Sequence, residues 1–189
     1  MRGAGGDGAV RMAGVNQVYL AYHRGSLGSG HRDYPAFLLA NEVLAGSGNM
    51  GSRLWQALRT DGALTYAVAG GESEAFAPGI YSLRTYTRVA DADAIERELR
   101  AVLRRFYENG MTEEERAAAV ATLRGQRALA QQAPVHVLAR YLGERRHGVA
   151  GGFEDQLVDR AAALPLSAVN EFVRRFFDPR RFRMLRLGP

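Results

Sequence analysis

The stretch DADAIERELRAVLRRFYENG, Asp91 to Gly110, constrains the fold more than any other part of the chain. Ile95, Leu99, Val102, Leu103 and Phe106 recur at helical spacing and form one apolar stripe, with Asp91 placed as a cap and Gly110 as a stop. Such a one-sided helix needs a surface to cover. More helix comes next: TEEERAAAVATLRGQRALAQQ opens on a capping box of Thr112 and Glu115 and runs to Pro134. Further helices are expected at Val135 to Arg146, at Phe153 to Leu164 and at Ser167 to Phe177, the last capped by Ser167 and ended by Asp178-Pro179.

The strand patterns lie outside this helical block. NQVYLAYH, Asn16 to His23, is rich in β-branched and aromatic residues and reads as a strand. RDYPAFLLANEVLAG reads as a helix with Asp33 as cap, Pro35 in the first turn and Gly46 as stop. Ser52 is placed to cap a short second helix that carries Leu54, Trp55 and Leu58 inward and ends near Arg59. Two antiparallel strands are expected at Leu64 to Ala69 and at Gly79 to Arg88, joined by GGESEAFAP. In the second, Tyr81, Leu83 and Thr85 alternate with Ser82, Arg84 and Tyr86, the period of a sheet covered on one face. RFRMLRL reads as a final strand whose period breaks at Met184-Leu185.

Segregated strands and helices predict an α+β fold: a mostly antiparallel sheet covered on one face by helices. The chain's 189 residues fit one domain, expected over residues 15–189, with residues 1–14 as a flexible lead-in. That lead-in has early arginines but no apolar run of the kind a secretory signal needs, and no stretch approaches a membrane span, so a soluble protein without a membrane partner is expected.

Most chemistry is excluded residue by residue. Without cysteine there is no disulfide, thiolate metal site or cysteine nucleophile. GSLGSGHR has Gly25 and Gly30 at phosphate-loop spacing, but His31 and Arg32 stand where a Lys and a Ser or Thr are needed, so a connecting loop is expected. His136 and His147 would sit about 16 Å apart along one helix, too far to share an ion, and neither H-x-x-E-H nor H-E-x-x-H occurs. A G-x-S-x-G elbow is absent because Ala45 precedes Ser47 by two. The carboxylates of Glu113 to Glu115 are explained by capping. The net charge is +5, carried by arginines scattered in pairs, which suits solvated helix faces better than a nucleic-acid surface.

One stretch keeps a specific reading. The Gly-rich turn after LLANEVLAGSGNMGSRL, the helix SRLWQALR, the run GALTYAVAGG and the strand from Gly79, succeeded by long helices around ENGMTEEE, resemble the zinc-lacking C-terminal halves of inverzincin proteases, the group of pitrilysin, insulin-degrading enzyme and mitochondrial processing peptidase. The resemblance extends over most of the chain. It implies one half-unit of a two-half enzyme, with no catalytic residues on this chain alone and zinc held by H-x-x-E-H on a homologous partner half, in the same chain or a separate subunit. It implies that Arg59 and Tyr66 hold the substrate peptide's backbone. Thr65, where that family often has a small residue such as Gly, is a departure that bears on the orientation of Tyr66. The alternative reading is a catalytically inactive structural or peptide-binding module of the same fold.

Overall fold

The computed structural model describes residues 7–46, 48–73 and 77–189; the first six residues of the expected lead-in, Ser47, and residues 74–76 of the GGESEAFAP connection lie outside the described residues. Five strands, β1 (Gly8–Arg11), β2 (Gln17–Gly25), β3 (Val68–Glu72), β4 (Ile80–Arg88) and β5 (Arg183–Gly188), form one sheet in the order β1-β5-β2-β4-β3. Only β1 and β5 run parallel; the other pairs are antiparallel. The α+β architecture expected from the sequence is therefore the one observed.

The helices are α1 (Tyr34–Ala45), α2 (Arg53–Trp55), α3 (Ala92–Asn109), α4 (Glu113–Gln132), α5 (Pro134–Arg146), α6 (Phe153–Ala162) and α7 (Leu166–Phe176). The stripe of α3 is buried as its spacing demands, and it packs with Leu20 and Tyr22 of β2, Leu83 of β4 and Phe172 and Val173 of α7 in one core. Phe176, Phe177 and Phe182 gather around Tyr81, whose hydroxyl donates to Asn41 Oδ1 at 2.9 Å. Leu54 and Leu58 are buried as expected, while Trp55 is half-buried.

Several boundaries differ from expectation, each for a physical reason. The lead-in is not loose over Gly8–Arg11, which pairs in parallel with β5 from Gly8 opposite Leu185 to Arg11 opposite Gly188. All four of its residues are exposed, so it has no buried alternation to betray a strand. Asp7 fastens its start: Oδ1 accepts from Met184 N at 2.8 Å and Oδ2 from Arg100 Nη2 at 2.9 Å. β3 begins at Val68 rather than Leu64, because Leu64 to Ala67 is tied to β4 through threonine hydroxyls, those of Thr85 and Thr87 to its carbonyls and that of Thr65 to Tyr86 O, and not through a backbone ladder. α7 begins at Leu166, so Ser167 lies within it and makes no cap. Thr112 and Glu115 form the capping box in full.

The period break in β5 also has a cause. Met184 enters the core, whereas Leu185 and Leu187 pair with Ala21 and Tyr19 on the other face. There, with Met12, Val15 and Tyr86, they line an open groove of about 690 Å³. Helix α5 is inverted relative to an ordinary surface helix: Val135, Leu138 and Leu142 are 67%, 56% and 56% exposed, whereas Glu144 is buried and accepts from Gly152 N at 3.3 Å. Among the described residues no helix is long and apolar enough to cross a membrane.

Candidate functional site

Ser52 precedes the single α-turn of α2, after which the backbone widens into a π-helical turn over Gln56–Asp61. The short helix thus ends near Arg59, as expected, at Asp61, but its last part is the wider turn and holds Arg59 within it. Leu64 N donates to Leu58 O at 2.9 Å and Ala63 N to Arg59 O at 3.2 Å, closing the turn on itself. Gly62 is required here, since a Cβ would lie 2.8 Å from Ala57 O. Ala63 takes φ +49°, the left-handed conformation that a side chain disfavours. Wide turns and left-handed residues of this kind recur at functional sites.

This geometry brings Arg59 and Tyr66 together. Arg59 Nη1 donates to Tyr66 O at 2.6 Å, and its guanidinium carbon lies 5.0 Å from the Trp55 ring centre and 5.7 Å from that of Tyr66. Both side chains are exposed, Tyr66 by 86%. Tyr66 occupies the bend before β3 rather than the strand itself, so its ring points out instead of packing. Among the described residues no further acceptor meets the Arg59 guanidinium and no partner meets the Tyr66 hydroxyl. The site can therefore offer in-plane N–H donors and one phenolic O–H to an acceptor such as a carbonyl oxygen.

The neighbouring charged groups have other duties. Arg53 turns inward to Glu115. Burial pushes the Glu115 carboxyl up, but the Arg53 guanidinium and the Thr112 amide outweigh it and hold the group below its ordinary value. Trp55 carries no pattern that marks it as a site residue; its position four residues before Arg59 is the available signal, because that spacing puts side chains on one helix face.

The other candidates resolve into structure. The loop with Gly25 and Gly30 packs on the start of β4: Ser26 N donates to Gly79 O and Gly79 N to Ser26 Oγ, both at 2.9 Å, and Gly28, at φ +75°, has no room for a Cβ beside Ala77. His31 Nδ1 accepts from Asp33 N at 3.1 Å, His23 lies in β2, and His136 and His147 stand at the two ends of α5. Among the described residues no group of three or more His, Cys, Asp or Glu could hold a metal ion, so they do not fit the zinc of an inverzincin centre.

Comparison with known proteins shows the fold to be a known one. The chain superposes on the peptidase M16 inactive domain from Pseudomonas fluorescens with a TM-score of 0.84 at 20% identity, covering 97% of this chain and 43% of that one. A protease from Helicobacter pylori gives a TM-score of 0.84 at 15% identity, covering 97% and 44%. An inactive peptidase domain from Bordetella parapertussis gives 0.76 at 20% identity, covering 94% of each. The chain thus spans less than half the length of the first two. No curated protein sequence matches it. The family described as Peptidase M16 inactive domain matches residues 5–123, and since that is well over half of the chain, the protein belongs to this family.

Proposed function

We propose that this chain is the substrate-holding, zinc-lacking half of a peptidase, completed by a homologous half that carries zinc on H-x-x-E-H. The observation that carries this reading is the exposed Arg59–Tyr66 pair, joined at 2.6 Å, with the Arg59 guanidinium resting on Trp55 and no other hydrogen-bond partner for either side chain among the described residues. Peptide hydrolysis places growing negative charge on a carbonyl oxygen, and donors aimed at that oxygen stabilise it. Arg59 supplies an in-plane set of N–H donors, and Tyr66 a hydroxyl donor. The hydrolytic centre belongs to the partner half, so the chain by itself cleaves nothing.

The test is to mix the chain with an H-x-x-E-H half and follow cleavage of a fluorogenic peptide. Arg59→Ala and Tyr66→Phe are each expected to lower kcat/KM by about 100- to 1000-fold, the range for losing one oxyanion donor. Unchanged rates overturn the assignment. One observation favours a second reading, an inactive structural or peptide-binding module: the Arg59 bond to Tyr66 O is also a local brace for the bend. Peptide binding without cleavage in any mixture supports that module.

A further inference from the structure

Backbone register between β3 and β4 begins at Val68, opposite Thr85. The preceding Leu64 to Ala67 stays beside β4 but is held by hydroxyls. Thr65 Oγ1 donates to Tyr86 O at 2.6 Å and accepts from Ala67 N at 3.2 Å. Thr85 Oγ1 lies 2.8 Å from both Ala67 O and Thr65 Oγ1, and Thr87 Oγ1 donates to Leu64 O at 2.8 Å. All three threonines are buried, so their hydroxyls need these partners. The backbone on both sides of Tyr66 is thereby pinned, while the Tyr66 carbonyl remains for Arg59.

We propose that Thr65, Thr85 and Trp55 are positioning residues for the Arg59–Tyr66 pair: the two hydroxyls fix the Tyr66 backbone, and the indole fixes the guanidinium. The inference rests on the reading of that pair as peptide ligands. A backbone ladder through residues 64–67 would continue the strand and carry Tyr66 into it. Side-chain hydroxyls instead hold the chain at the sheet edge while it bends, which leaves the phenol in solvent. An arginine with a free guanidinium must give up rotamer freedom to bind, and an aromatic face at 5.0 Å together with a carbonyl at 2.6 Å removes much of that freedom beforehand. Thr65 thus has a use that a Gly in its place could not supply.

The experiment uses the full chain, a fluorescein-labelled extended peptide read by anisotropy, amide hydrogen exchange, and the Arg59 Nε–H resonance recorded without peptide. Thr65→Val and Thr85→Val keep the shape but lose the hydroxyl. Each is expected to speed exchange at residues 64–67, shift the Arg59 resonance and weaken peptide binding by about 3- to 10-fold, with Thr65→Ser restoring all three. Trp55→Leu should shift the resonance and weaken binding by about 2- to 5-fold without faster loop exchange, with Trp55→Phe recovering most of the loss. If the valine variants and Trp55→Leu all leave the Arg59 resonance in place, the positioning role is wrong, whatever happens to peptide binding. If the resonance shifts as expected but Arg59→Ala binds peptide normally, the positioning stands and the ligand reading of the pair fails. Trp55 is half-buried, so its variants keep the test decisive should a valine variant fail to fold.

Discussion

Arg53 and Glu115 meet through two parallel contacts, Nε to Oε1 and Nη2 to Oε2, each 2.7 Å long. Arg53 Nη2 also donates to Gly110 O at 2.8 Å, and Glu115 Oε2 accepts from Thr112 N at 2.8 Å. One ion pair therefore fastens the turn that leads to Arg59 onto the junction between α3 and α4. The capping carboxylate does double duty, closing α4 and anchoring the candidate site.

Arg53→Ala is expected to lower stability by about 1–3 kcal/mol, the scale of a hydrogen-bonded charged pair, as read by urea denaturation. The pH dependence comes from Glu115. Its folded value lies below the unfolded one, so its contribution is present above about pH 4.3 and is lost as pH falls through the folded value. In Arg53→Ala that low-pH loss should shrink; an unaltered acid profile would show that the pair does not act as described.

Glu72 behaves with the opposite sign. Burial pushes its carboxyl up, and Tyr34 donates its hydroxyl to Oε2 at 2.7 Å. A folded value above the unfolded one makes protonation favour the fold, so this group's contribution declines as pH rises from about 4.3 through the folded value. Glu72→Gln keeps an acceptor for Tyr34 and removes the decline. Melting temperatures of the mutant relative to the parent should therefore improve between about pH 4 and about pH 8.

Gly110 has φ +68°, and a Cβ there would lie 2.4 Å from Asn170 Oδ1. That oxygen accepts from Met111 N at 2.8 Å while Asn170 Nδ2 donates to Met111 O at 3.0 Å, so it cannot retreat without breaking both bonds. Gly110→Ala is expected to cost about 2–4 kcal/mol from backbone strain and lost hydrogen bonds. In an Asn170→Ala background the same change should cost measurably less in a double-mutant cycle.

The outward apolar face of α5 contributes little to folding. Leu138→Gln and Leu142→Gln are each expected to change the urea-derived stability by less than about 0.5 kcal/mol, whereas Leu99→Ala in the buried stripe of α3 should cost about 2–5 kcal/mol. A large loss from either α5 change would mean that this face packs on the chain in solution.

Where burial leaves a period, the fold is legible in advance. The stripe of Ile95, Leu99, Val102, Leu103 and Phe106, the box of Thr112 and Glu115, and the alternation of Tyr81, Leu83 and Thr85 all report which side of an element faces the core. Gly8–Arg11 leaves no such mark, because an exposed strand is held by backbone bonds that any residue can make. The stretch carrying Arg59 and Tyr66 stands out only through a resemblance, since two exposed polar side chains in one short segment carry no period.

From its residues alone the chain determines a segregated α+β fold, its principal helices, the inward side of each strand with a covered face, and the lack of a zinc motif. The tertiary structure decides the rest of the site: the π-helical turn over Gln56–Asp61, the left-handed Ala63, the bend that keeps Tyr66 out of β3, and the 2.6 Å bond from Arg59 to its carbonyl. Apolar spacing is selected by burial, which acts on each element separately. The meeting of Arg59 and Tyr66 depends on hydroxyls that β4 supplies from twenty residues farther along, and no local pattern encodes that distance.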